Sequence, residues 1–162
     1  MLVLRYAAVL TLVVWLGGLI ALGGIAAPSI FDTIAARQIA EGRLLAGAIF
    51  GEALQRFFVV TSIAGGVLLL TLVGRAILGP RPRRFAWRAL LALVMLATTT
   101  YTGFGVGRRI QQLQDQIGAA PSSLDADDPR RIEFQRLHAL STYLQIVPLL
   151  GGLLLIYWEL NE

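Results

Sequence analysis

Residues 6–31 read YAAVLTLVVWLGGLIALGGIAAPSIF, 26 consecutive positions without a formal charge, bounded by Arg5 and Asp32. A helix crosses a hydrocarbon layer of about 30 Å with roughly 20 apolar residues, so this stretch is long enough to span. Three further charge-free runs follow. They are 18 residues between Arg56 and Arg75, 19 between Arg88 and Arg108, and 20 between His138 and Glu159. Lipid offers the backbone no hydrogen-bonding partner, which predicts a helix for each run. The expected fold is therefore all-α: one four-helix transmembrane bundle over residues 1–162, with helical extensions on the outer face. The spans are placed near 6–27, 57–75, 88–107 and 139–158. A cleaved signal peptide competes for the first run, because Arg5 precedes it and Ala26-Ala27 follow. Its apolar length exceeds the roughly 7–15 residues of a signal core, which favours a retained helix.

Composition agrees. Of 162 residues, 56% are hydrophobic and only 15% charged, against about 25% charged in a soluble domain. Mean hydropathy is +0.70. An ordinary soluble domain and a disordered chain are both excluded, since there is ample apolar surface to bury. There is no Cys, which removes disulfides, thiolate metal sites and Cys nucleophiles. The single His, His138, removes any site needing two histidines from one chain.

All 14 basic residues are Arg, and they are unevenly placed. The second connection holds Arg75, Arg81, Arg83, Arg84 and Arg88 with no acid. The first has three Arg against three acids, and the third five against five. A short, purely basic connection marks the cytoplasmic side. This puts both termini inside, in a bacterial inner membrane. Arg81, Arg83 and Arg84 in PRPRR are read as topology determinants touching anionic lipid heads. A nucleic-acid patch is the weaker reading, and no nucleic-acid partner is expected. Trp87, Tyr157 and Trp158 would form an inner aromatic belt, with Phe57 and Phe58 in an outer one.

Outside the spans, Arg37/Glu41 and Glu52/Arg56 are four apart, which suits one helix face and predicts a helix from about residue 36 into the second span. Ile110, Leu113 and Ile117 form a stripe that carries the third helix beyond the bilayer, and Gly118 ends it. Asp128 before Pro129 is a helix start, with a capping side chain and Pro in the first turn. Helices three and four are thus expected to project as a hairpin.

Small residues allow close helix approach in lipid. Gly17-Gly18, Gly23-Gly24, Gly65-Gly66 and Gly151-Gly152 lie in spans, and Gly47/Gly51 and Gly103/Gly107 form GxxxG pairs. Packing within the chain is the favoured reading. A homo-oligomer or another membrane-protein partner is the alternative.

Polar residues within spans are the best functional clue in such a chain. Glu52, Gln55 and Ser62, with Gly66, share one face of the second helix. Thr98, Thr102, Gly105 and Arg109 share one on the third, and His138, Ser141, Thr142 and Gln145 one on the fourth. All three stripes fall in the outer half, which suggests a polar vestibule between helices two, three and four, with Glu52, Arg109 and His138 at its rim. The competing and favoured reading is structural: hydroxyls bonding to their own helix, Glu52 pairing with Arg56, and His138 at an interface. Trp15, mid-span, is read as core, with an indole N–H in want of a partner.

No catalytic constellation is found. Ser141 and His138 are three apart on one helix and lack a third group. GFGVG lies inside a span and is not a nucleotide fingerprint. Met1, Met95 and His138 make a poor copper set. No enzymatic activity, cofactor or metal is expected.

The segments WLGG at 15–18, APSIF at 27–31, AGAIF at 46–50 and FQRLHALS at 134–141 together resemble a bacterial domain-of-unknown-function family related to the transmembrane protein 205-like group. The order and spacing match over nearly the whole chain. The resemblance implies a four-helix integral membrane protein with no established activity; eukaryotic relatives linked to platinum-drug resistance imply at most a role in handling metal compounds. Similarity to copper resistance protein D membrane domains is fainter, and the scarcity of His and Met argues against copper. The resemblance supplies no functional residues beyond the matching positions His138, Pro28 and Phe31. Two functional expectations stand: a non-enzymatic membrane packing or interaction component, and a small exporter or permease for a cation, metal complex or small amphiphile.

Overall fold

The computed structural model describes residues 2–39, 41–79 and 81–161. Among these residues there is no strand, and four helices are long and apolar enough to cross a membrane, as in a multi-pass membrane protein. The first is α1 (Leu2–Ala21) and α2 (Ala27–Ala36), joined by one π-helical turn (Leu22–Ala26). The second is α3 (Gly42–Leu78). The third is α4 (Phe85–Thr100) and α5 (Gly107–Ile117), joined by a second π-helical turn (Tyr101–Val106). The fourth is α6 (Pro129–Leu160). Each span packs beside the next in sequence, and the fourth closes against the first. Arg5 and Glu159, near the two ends of the sequence, lie at one end of the bundle, called here the terminal end; the other is the distal end.

Each helix is longer than the charge spacing predicts. At 1.5 Å per residue they measure about 50 Å, against a hydrocarbon layer of about 30 Å, so they project well beyond it. The first span is the clearest case. A helix interior rejects proline because its ring meets the carbonyl four residues back. Here the ladder slips just before Pro28: the Ala27 N–H donates to the Leu22 carbonyl, five residues back. The wider turn accommodates the proline, and the helix runs on to Ala36 rather than ending near 27.

At the terminal end one carboxylate ties all four spans. Glu159 on α6 is 4% exposed. Its oxygens accept from Arg75 Nη1 on α3 at 2.8 and 3.0 Å and from Arg88 Nη1 on α4 at 2.8 Å. Arg5 Nε on α1 lies 3.1 Å away, and its guanidinium also donates to the Glu159 carbonyl. Arg88 Nη2 further donates to the Trp158 carbonyl at 2.7 Å. Arg75 and Arg88 are themselves buried. This corrects the sequence reading, in which both bounded a solvated basic connection. The connection is only residues 79–84, where Arg81, Arg83 and Arg84 are exposed.

Above this clasp the core is apolar: Ala8, Leu12, Trp15, Leu68, Leu72, Ala92, Met95 and Leu155. Glycines bring the helices close. A Cβ on Gly65 would stand 3.0 Å from the Trp15 ring, and one on Gly151 2.9 Å from Met95. Trp15 is fully buried, and neither its Nε1 nor Thr99 Oγ1 has a hydrogen-bond partner among the described residues. Phe58 is also buried and stands against Gly103, so it belongs to the core and not to an aromatic belt. Trp87 and Tyr157 are exposed as expected.

At the distal end the chain turns from α2 to α3 through Gln38 and Glu41, both with positive φ. The turn falls between Arg37 and Glu41, so these two do not share a helix face, and α3 begins at Gly42 rather than near 36. Gly118 ends α5 in the left-handed region at φ 64°, its N–H donating to the Gln114 carbonyl. Asp128 caps α6, accepting from the Arg130 N–H at 2.8 Å. The hairpin of α5 and α6 is fastened by Arg109 and Glu133 at 2.8 Å.

Replacing Glu159 with Gln strips the counter-charge from buried arginines and is expected to cost roughly 3–5 kcal/mol. Arg5→Gln removes a half-exposed partner and should cost far less. Thermal unfolding in detergent measures both; equal midpoints for Glu159→Gln and the native protein would sink this account of the clasp. A second prediction concerns pH. The Arg130 side chain, then its N–H, holds the Asp128 carboxyl below its ordinary range. A lowered folded-state pKa gives stability that is full above the unfolded value and is lost as pH falls through the folded one. Protection of the first α6 amides, measured against their intrinsic exchange rate at each pH, should therefore hold through mildly acidic pH and fall only in stronger acid. Asp128→Ala should lower that protection at neutral and mildly acidic pH, and the two proteins should converge in strong acid.

Candidate functional site

The distal half of the bundle encloses a cavity of about 530 Å³ with walls from all four spans. Its floor is Leu19, Phe58, Thr102 and Leu149. Thr102 lies 14 residues from Arg88, and Gln145 the same number from Glu159, so both stand about 21 Å above the clasp. Gln55 and His138 stand about 30 Å above it, where a hydrocarbon layer measured from Glu159 would end. The cavity thus begins inside the bilayer and opens across its distal interface.

Both π-helical turns lie in its wall. Leu22, Gly23 and Ala27 border it on the first span, and Thr102 and Gly107 on the third. In the second turn the Gly107 N–H donates to the Thr102 carbonyl, five residues back. Such bulges recur at functional sites because they re-aim side chains and free backbone groups.

The lining is apolar with a polar band. Thr102 Oγ1 donates to the Thr98 carbonyl at 2.8 Å, and Ser141 and Thr142 both donate to the His138 carbonyl. Each hydroxyl has used its proton and offers lone pairs only. Gln55 and Gln145 are different: no hydrogen bond within the described residues engages their amides, which leaves donors and acceptors for something in the cavity. Higher up, the His138 ring stacks on Phe134 with centroids 6.1 Å apart and planes at 5°. Phe31 and Phe50 meet edge to face, at 6.5 Å and 63°.

Six of the ten polar residues named from sequence line this cavity: Gln55, Thr102, His138, Ser141, Thr142 and Gln145. Four do not. Thr98 bonds back to the Val94 carbonyl at 2.9 Å. Glu52 pairs with Arg56 at 2.8 Å on the exposed surface. Arg109 is held by Glu133. Ser62 bonds back to the Phe58 carbonyl at 2.7 Å and lies outside the wall. The first span was not expected to contribute, yet it forms one side. Gln111 and Gln114 were also missed; their spacing of three in a helix was a signal, but only the apolar stripe Ile110, Leu113 and Ile117 was read in that segment. Of the glycines, Gly103 packs on Phe58, Gly107 lies near Gln55 Oε1, and Gly47 touches Gln114. Gly51 borders the cavity with open space before it. No group of three His, Asp or Glu side chains that could hold a metal ion occurs among the described residues.

The sequence profile of a domain of unknown function, DUF4149, matches residues 10–119, about two thirds of the chain. The chain belongs to this family. The match covers most of the first span, all of the second and the third through α5; the fourth span lies beyond it. Within the match, Ala27, Phe31, Gly47 and Phe50, all from the APSIF and AGAIF segments, border the cavity. No curated protein and no solved structure matches the chain.

The family chain has no Cys, so introduced thiols report without background. Gln55→Cys and Gln145→Cys should react with a membrane-impermeant maleimide added from the distal side. Ser62→Cys, at bilayer depth outside the cavity, should not. Equal reaction at all three positions, or none at Gln55 and Gln145, would remove the open cavity.

Proposed function

We propose that this DUF4149 protein is a non-enzymatic membrane protein that holds an uncharged amphiphile in its distal cavity. One observation carries the reading: the cavity wall contains no Asp, Glu, Lys or Arg, although eight Arg and eight acidic residues lie elsewhere in the distal half of the sequence pattern. A cation or charged metal complex leaving water needs a counter-charge, and this lining supplies none. An apolar pocket with a few convergent amides and hydroxyls suits a molecule with a hydrocarbon body and a neutral polar head. The opening at the interface matches where such molecules concentrate. Passage through the protein is a further step, and the close-packed core and clasp below the cavity favour binding or lateral exchange with one leaflet.

The orientation belongs to the same reading. The short terminal-end connection, with Arg81, Arg83 and Arg84 and no acid, supports cytoplasmic termini and, in a bacterial inner membrane, a cavity facing the outer leaflet. Kinship with the transmembrane protein 205-like group is compatible with this function, but the cavity chemistry supports an amphiphile over a metal compound.

The test uses a diazirine-bearing long-chain alcohol as an uncharged photolabel on the reconstituted protein. Gly51→Trp fills open space in the cavity, since nothing lies within 4 Å of an added Cβ there. Labelling of cavity-lining peptides should be strong in the native protein and fall at least about fivefold in Gly51→Trp, the equivalent of about 1 kcal/mol of binding. Unchanged labelling in a Gly51→Trp protein of native elution volume would defeat the proposal. Stronger labelling by a quaternary-ammonium analogue would restore the cation reading in its place.

A further inference from the structure

Among the described residues, Arg5, Arg75, Arg81, Arg83, Arg84 and Arg88 fall at the terminal end of the bundle against one acid, Glu159; Glu162 lies outside the described residues. The distal end balances at eight Arg and eight acids, so none of the chain's net +4 comes from there. The clasp by itself places three cations on one carboxylate. Concentrated like charge at the edge of a low-dielectric layer calls for a counter-anion from outside the chain.

The geometry offers a place for it. A recess of about 210 Å³ opens beside the clasp, lined by Arg83, Arg84, Arg88, Tyr157, Trp158 and Asn161. Arg83 and Arg84 are exposed, and the Arg84 guanidinium lies over the Trp158 ring at 5.7 Å, which holds it at the mouth. Arg88 is buried and forms the inner wall. Guanidinium donors match phosphate oxygens in geometry as well as charge. On the bilayer side of the recess, Trp87 and Leu90 on α4 and Leu154 and Tyr157 on α6 are exposed and apolar. The recess therefore stands at headgroup level, with cations on its outer side and acyl-compatible surface on its bilayer side.

We propose that this recess binds the phosphate of an anionic phospholipid. Soluble phosphate shares the recognised chemistry, but the adjoining apolar surface favours the lipid. The site is distinct from the distal cavity, and its test is independent of what that cavity holds.

The protein is reconstituted with equal amounts of phosphatidylglycerol and phosphatidylcholine of matched chains, and retained lipid is counted by native mass spectrometry. The native protein should retain phosphatidylglycerol preferentially. Arg83→Gln/Arg84→Gln leaves the three clasp arginines in place and should lose most of that preference, roughly fivefold for each arginine. Arg37→Gln, on the exposed distal surface, should keep it. No preference in the native protein, or an undiminished preference in the double variant with a native elution volume, would overturn the site. Displacement of the lipid by millimolar inorganic phosphate would overturn the lipid assignment and leave a soluble-anion site.

Discussion

The Glu159 carboxylate is the point on which the bundle turns. Van der Waals packing between apolar helices in lipid is only weakly directional, because the lipid is as apolar as the helices. A buried carboxylate facing guanidiniums from the other three spans is not interchangeable in the same way. It fixes the relative height and rotation of four helices at one level. From that level the remaining depths follow at 1.5 Å per residue: the Trp15 core, the floor at Thr102, and the opening near Gln55 and His138. Such a clasp contributes less net stability than its hydrogen bonds suggest, since its members were well solvated before burial. Its main effect is to make one register far better than its neighbours.

The two ends of the bundle use sequence differently. Towards the terminal end, Gly65, Gly151 and Gly152 sit where added Cβ atoms would collide with Trp15, Met95 and Leu16, and the helices close on one another. Towards the distal end, Gly23 and Gly51 have open space before them, and Phe31, Phe50 and Phe134 form part of the wall instead of filling the interior. The two π-helical turns fall near the change from one regime to the other. A membrane protein can sustain an apolar cavity of this kind more readily than a soluble one, because surrounding lipid is available to occupy it.

The polar band and the arginine recess divide the chemistry by charge. The cavity wall has amides and hydroxyls without formal charge, while the recess has three guanidiniums. Both meet the bilayer, one at each interface. The two ends differ in the same sense: eight Arg balance eight acids at the distal end, while the short connection at the terminal end holds Arg81, Arg83 and Arg84 with no acid.

The sequence by itself determined the class of object. Four charge-free runs dictated four helices, since no other backbone arrangement satisfies its hydrogen bonds in lipid. The Gly118 stop and the Asp128-Pro129 start were legible for the same kind of reason: capping is local, and the residues that do it are few. Helical periodicity also put Gln55, Thr102, His138, Ser141 and Gln145 on usable faces. What periodicity could not give was the rotation of each helix against the others. That rotation took Ser62 out of the cavity wall, gave Arg109 to Glu133, brought in the first span, and turned Phe58 inward. Nor could local reading distinguish Arg75 and Arg88 from the exposed arginines between them, because their burial depends on Glu159, more than 70 residues away in the chain. Charge spacing marks where helices must lie, but only tertiary packing decides which charges are buried together and which polar side chains face a common space.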